Sequence, residues 1–350
     1  FGAGYSGTNY YNTAVGKYAL YTSTGAYNVA VGTGALQANT TASYNTAVGY
    51  NALTANTTGA LNTAVGYDAL RDNTSGQKNT TVGRLAGANI TTASDNTIVG
   101  ADALFVNTTG ASNTAVGMRA LNANTTSSNN VAIGRDALLA TTTGGSNTAV
   151  GKGAGDTITT GLRHICIGLD SGATLTTGND SIFIGHGAAA SAGAASGQIA
   201  LGNVTCVGNG NFTFGSGSND SNIQNGATSI TAPSDERFKE EVADSTAGLA
   251  FINDLRPVTY KWKKEKDLPT TMDAYVEGSE KRVMNDNTNH GFIAQEVKEV
   301  IDAHPELKDG FDMWMEKESD GQQRLAPSAL VPMLVKAIQE LTARIETLEG

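Results

Sequence analysis

The phrase Asn-Thr-Ala-Val-Gly, or a close variant, recurs through residues 1–202 at a nearly fixed step. Its closing glycines are Gly16, Gly32, Gly49, Gly66, Gly83, Gly100, Gly117, Gly134, Gly151, Gly168, Gly185 and Gly202, 16 residues apart at first and 17 thereafter. An ordinary globular domain keeps no such period. A stacked solenoid does, because each repeat is one turn that buries itself only against its neighbours.

Within a turn the order is Asn-Thr-Ala-Val-Gly, two variable residues, Ala-Leu, then a bend rich in Thr, Asn and Gly. In residues 45–61, Asn45-Thr46-Ala47-Val48-Gly49 reads as a short strand. Ala52-Leu53 reads as the start of a second strand, and Asn56-Thr57-Thr58-Gly59 as the turn. The expected fold class is mainly β, a parallel β-roll of 17-residue repeats. Twelve turns at a strand spacing of ~4.8 Å would make a rod of about 55–60 Å.

The variation between turns suggests which face is inside. The Val position also holds Ile133, Ile167, Ile184 and Leu201, and the Thr position becomes Val29, Val131, Ile165, Ile182 and Ile199. Strand side chains alternate, so this apolar pair is expected to point inward. The Ala between them, replaced by Thr81, Ile98, Cys166 or Phe183, is expected to face another protomer. The Asn from Asn12 to Asn147 should form an amide ladder. The Gly should supply a positive φ or a close backbone approach at a corner. So thin a core favours oligomerisation.

Composition changes sharply at Pro233. Residues 1–233 contain no Glu, no Trp, 8 Lys/Arg and 9 Asp; the remainder carries 15 Lys/Arg and 24 Asp/Glu. The net charge of −10 therefore sits almost wholly in the last third. Three segments are expected: a β-roll over 1–202, a tapering β cap and linker over 203–233, and an α+β domain over 234–350. In the linker, Asn211-Phe212-Thr213-Phe214-Gly215 looks like a worn repeat. The acidic balance argues against nucleic acid as a partner. No apolar run reaches membrane-spanning length. Cys166 and Cys206 make no disulfide framework or metal spacing, and Cys166 reads as a small buried residue. Asn-x-Thr triplets such as Asn39-Thr40-Thr41 read as by-products of the bends. His164 and His186 fall in different positions of adjacent turns, a poor arrangement for a metal pair. No metal site and no cofactor is expected.

Ser234-Asp235-Glu236 is in itself a good helix start, with Lys239 as a solvated side chain. A last helix is expected over about 328–349. Its apolar residues Leu334, Ile338, Leu341, Ile345 and Leu348 step 4, 3, 4, 3, which is a heptad seam compatible with three strands. Packing of that seam against its own domain is the other reading.

The repeats over about residues 8–202 resemble the head repeats of trimeric autotransporter adhesins and related phage tail-fibre repeats, which are left-handed parallel β-rolls assembled as trimers. The last segment carries four motifs in order: Ser234-Asp235-Glu236-Arg237-Phe238-Lys239; Leu255-Arg256-Pro257-Val258-Thr259-Tyr260-Lys261-Trp262; His290-Gly291-Phe292-Ile293-Ala294-Gln295-Glu296-Val297; and Leu330-Val331-Pro332 with the helix after it. This set resembles the C-terminal intramolecular chaperone domain of phage tail spikes and fibres, which cleaves itself off; a relative occurs in the membrane-tethered myelin regulatory factor. The resemblance implies Ser234 and Lys239 as a catalytic pair, with Pro233–Ser234 as the scissile bond. His290 is a candidate third participant.

The chemistry is self-consistent: a serine hydroxyl becomes nucleophilic when a base takes its proton, and a lysine serves if its pKa is lowered. On a helix, positions five apart differ by about 140°, so either Ser234 precedes the helix or the lysine comes from a neighbouring protomer. The expected protein is a homotrimeric fibre tip contacting a host surface receptor, a glycan or an outer-membrane component. It would assemble in the host cytoplasm and release its last domain by one self-cleavage. The alternatives are an adhesin-like structural protein with an uncleaved trimerisation domain, or part of a glycan-degrading spike.

Overall fold

The computed structural model describes residues 11–217, 219–224, 230, 234, 236–272, 274–307, 311, 313–316 and 321–349. The chain divides into two units, Phe1–Asp235 and Glu236–Gly350.

The first unit is a parallel β-solenoid of about twelve turns. Each turn contributes one three-residue strand, such as Thr46–Val48 or Thr63–Val65, paired in register with the next: Thr46 opposite Thr63, Ala47 opposite Ala64, Val48 opposite Val65. The row runs unbroken from Thr13–Val15 to Ile199–Asn203. The worn repeat continues it, with Phe212 opposite Ile199 and Phe214 opposite Leu201. The strand Asn219–Ile223 then pairs antiparallel with Phe212–Ser216 and ends the sheet.

The expected faces are reversed. The middle residue of each strand is buried: Ala47, Ala64 and Ala115 are fully enclosed, as are Thr81, Ile98, Cys166 and Phe183. The flanking Thr and Val positions are half-buried or exposed. The reason is the narrowness of the roll. Its interior is already filled from the opposite side by the leucines of the Ala-Leu segment, Leu20, Leu36, Leu53, Leu70, Leu104, Leu121 and Leu138. Most strands can then place only a methyl group inside.

Ala-Leu is also not a strand. Its leucines sit in the left-handed region, Leu53 at φ 54° and Leu70 at φ 53°. That conformation is unusual for a residue with a Cβ, and here burial of the side chain holds it. Leu53 N–H still bonds to the next turn, to Ala69 O at 3.1 Å. The glycine is needed as expected: Gly49 has φ +140°, and a Cβ there would lie 2.2 Å from Gly66 O.

The Asn row bonds chiefly to backbone. Asn45 Oδ1 accepts the Asn62 N–H at 2.9 Å, while Asn45 Nδ2 donates to Gly59 O at 3.0 Å. Direct amide-to-amide bonds join it in some turns, as from Asn79 to Asn62 at 3.1 Å. A second ladder runs through the bends, from Asn73 to Asn56 and from Asn56 to Asn39, each at 2.9 Å. Asn39 is fully buried, so its triplet is no glycosylation acceptor.

The second unit holds three helices, α1 (Leu249–Asp254), α2 (Ala294–Ala303) and α3 (Val331–Glu349). A 3-10 turn, Pro327–Leu330, leads into α3. The core is Ala247, Phe251, Leu255, Val297, Ile301, Leu307, Met313 and Leu330. α1 packs on α3, and Glu340 of α3 accepts the Leu249 N–H at 2.9 Å, capping the start of α1. Ala337 of α3 is buried, whereas Leu334, Ile338, Leu341, Ile345 and Leu348 are exposed, as is Val331. Within one chain the heptad seam is therefore not core.

Candidate active site

Ser234 is exposed and stands two residues before a single 3-10 turn, Glu236–Phe238. The helix start read in Ser-Asp-Glu therefore amounts to one turn. Lys239 follows it, and its backbone N–H donates to Glu236 O at 3.0 Å, closing that turn. The lysine is exposed. Pro233 lies outside the described residues. The division of the chain falls between Asp235 and Glu236, so Ser234 belongs to the end of the first unit and Lys239 to the start of the second.

His290 lies at the centre of the strand Asn289–Gly291, exposed and directly opposite Thr259 of the strand Val258–Tyr260. With Pro257, Val258, Thr259, Gly291 and Phe292 it lines an open depression. The second and third sequence motifs thus form one antiparallel pair. An ion pair reinforces it: Arg256 grips both carboxylate oxygens of Glu296, with Nε to Oε2 at 3.0 Å. Sequence reading did not find that link, although Arg-Pro and Gln-Glu stand at fixed places in their motifs.

His304 was also not singled out in the sequence. Its Nδ1 is 2.9 Å from Glu306 Oε1 and its Nε2 is 2.9 Å from Asp254 Oδ2. A neutral imidazole has one N–H and one lone pair, so carboxylates on both nitrogens favour the charged ring. The bonds to Glu306 and to Asp254 hold its pKa above the ordinary 6.5.

In the first unit, His164 occupies the place of the ladder Asn. Its Nε2 lies 2.6 Å from Gly178 O, and its Nδ1 accepts the Ser181 N–H at 3.2 Å. Both nitrogens are thereby used within the ladder, and no metal pair with His186 forms around it. Among the described residues, no group of three or more His, Cys, Asp or Glu is placed to hold a metal ion. Cys166 is buried, and burial pushes its thiol up to about 12; Cys206 is pushed up to about 11 for the same reason. Neither is an activated nucleophile.

Residues 234–305 match the family model Peptidase S74, described as chaperone of endosialidase. The chain fits a tail fibre with a C-terminal chaperone domain. The match begins at Ser234 and spans the first three motifs, including the Arg256–Glu296 pair and the strand pair. It places an intramolecular chaperone after a β-solenoid, as in fibres and spikes of phage tails. No curated protein and no solved structure matches the chain. Among the described residues no helix is long and apolar enough to cross a membrane.

Proposed function

We propose that the chain is a homotrimeric fibre tip for host attachment whose last domain trimerises it, sets its register and then releases itself at Pro233–Ser234. The observation that carries release is positional. The family match starts at Ser234, and the chain divides into its two units one residue further on. A break there would free one unit from the other with almost nothing left over.

The step is an acyl shift followed by hydrolysis. Lys239 takes the proton from Ser234 Oγ, and Oγ attacks the Pro233 carbonyl carbon. The Pro233–Ser234 C–N bond breaks, and the Ser234 nitrogen leaves with a proton as an amine. The resulting ester is cleaved by water, giving a Pro233 carboxylate and a new N-terminus at Ser234. His290 is proposed as a third participant.

Trimerisation draws support from two exposed apolar rows. One is the seam of α3. The other is the outward side of the solenoid strands, including Val82, Val99, Ile133, Val150, Ile167, Ile184 and Leu201. Among the described residues both rows leave these large apolar side chains exposed, and each recurs along the element that bears it. Removal of the domain would leave three rolls without their template, so unfolding would be hard to reverse.

Intact mass spectrometry with size measurement tests this on the full chain, Ser234→Ala, Lys239→Ala and His290→Ala. Two fragments meeting at Pro233–Ser234, absent from the first two variants and slowed in the third, are expected. An intact wild-type trimer would remove the self-cleavage and leave a permanently attached trimerisation domain.

A further inference from the structure

Nine of the eleven tyrosines fall in residues 1–67, and that stretch contains a single charged residue, Lys17. The seven described ones, Tyr11, Tyr18, Tyr21, Tyr27, Tyr44, Tyr50 and Tyr67, are all exposed, from 38% to 75%. They form rows. Tyr11, Tyr27 and Tyr44 occupy the position before the ladder Asn and stack at 5.0 Å with rings within 6° of parallel. Tyr50 and Tyr67 follow the corner glycine and stack at 5.3 Å.

Both rows face water, as later turns show. The first row continues as Lys78, Asp95, Arg163 and Asp180, and the second as Arg84, Arg135 and Lys152, all exposed. The outward strand row, by contrast, never carries a charge. The tyrosines therefore do not lie on the face assigned above to contact between protomers.

Stacking turns ring faces toward one another and leaves ring edges as a ridge along the axis. Tyrosine offers a rigid amphipathic surface that loses little entropy on binding, and its hydroxyl both donates and accepts. A surface almost without charge has nothing to pair with an ionic ligand. A surface that repeats every 5 Å is used best by a ligand that itself repeats. We infer that the tyrosine rows of the first four turns bind a neutral polysaccharide lying along the roll axis. This rests on the host-attachment reading and names the ligand class for it.

The test uses the full chain and a variant with Tyr27→Ser, Tyr44→Ser, Tyr50→Ser and Tyr67→Ser. Serine is native to the first row, at Ser112 and Ser146, and Thr33 stands in the second, so the fold should tolerate the change. The probes are immobilised bacterial O-chain and capsular polysaccharides, one set neutral and one anionic, together with whole cells of the source strains. Expected are binding to at least one neutral polysaccharide, little weakening by salt, and a loss of about tenfold or more in the variant at unchanged melting temperature. Binding to anionic chains only, equal binding by the variant, or no polysaccharide binding at all would overturn the inference. Cells bound equally before and after periodate oxidation of their glycans would overturn it while preserving attachment. Failure to bind any cell would overturn the attachment reading too.

Discussion

The Nδ1 of His164 accepts the backbone N–H of Ser181 at 3.2 Å, one turn further along the solenoid. The backbone N–H of His164 is itself held by Asn147 Oδ1 at 2.9 Å. A histidine thus carries the asparagine ladder across one rung, and it does so only when neutral. A proton on Nδ1 would face a donor, inside a site where the residue is 1% exposed.

Burial first of all lowers the pKa of His164 below 6.5, against the smaller raising effect of its bond to Gly178. The unfolded chain then takes up the proton before the folded one. Shaft stability should be full above the ordinary histidine pKa and fall as pH drops below it. Melting curves from pH 8 to 5 on the wild type and His164→Asn check this. The variant should lose the histidine-dependent part of the decline, since Asn is what the nine rungs from Asn12 to Asn147 use. Parallel curves would contradict the assignment.

The chaperone domain should respond in the opposite sense. His304 has its pKa raised, by Glu306 and then by Asp254. Its contribution is present below the ordinary histidine pKa and is lost as pH rises through the folded value. His304→Gln should weaken the second unit more at pH 6 than at pH 8.5, as followed by thermal unfolding. Equal weakening at both would mean that packing against Phe251, 5.4 Å between ring centres, is the whole role.

In the turn at residues 81–97 the leucine of Ala-Leu is replaced by Gly87, and Ile90 fills the space, its Cδ1 3.1 Å from where a Cβ on Gly87 would lie. The same exchange pairs Gly155 with Ile158. Ile90 interrupts the second ladder and leaves Asn73 Oδ1 buried without a hydrogen-bond partner. Gly87→Leu alone should cost about 1–3 kcal/mol through overpacking, because Ile98 is also only 2.9 Å away. Gly87→Leu with Ile90→Asn and Ile98→Ala writes the common turn and should recover that loss in denaturant titration. A triple variant worse than the single one would sink this account.

The α3 seam and the domain core should separate in solution. Ile338→Asp with Leu341→Asp changes exposed residues and should abolish trimers while leaving the domain helical, by sedimentation and circular dichroism. Phe251→Ala removes a fully buried ring and should cost about 3–5 kcal/mol of stability. A seam variant that stays trimeric would place the interface elsewhere.

The period, the strand at Asn-Thr-Ala-Val, the corner glycine and the buried cysteine were legible in the residues themselves, whereas the second strand expected at Ala-Leu is a left-handed turn instead. The facing of the strand was not. Val and Thr look like core beside Ala, but what is inside depends on the space left by Leu53 or Leu70 from across the roll, which alternation alone does not report. The same blindness hid the second ladder: Asn39, Asn56 and Asn73 read as turn residues until their neighbours one turn away were seen. From residue 234 onward the ordered motifs marked Ser234 and Lys239 by resemblance, and His290 as a candidate by its place before Gly291-Phe292-Ile293. The Arg256–Glu296 link and the His304 clamp join residues 40 and 50 positions apart, beyond the reach of local spacing.

Because each strand meets its neighbour at the same register, one turn of the shaft is interchangeable with the next. Removing or duplicating 17 residues at matched points, from Gly49 to Gly66 for instance, rejoins every row to its own kind. Length can therefore drift by whole rungs without a new fold having to be found. The reach of such a fibre is a quantity that copying errors alone can tune.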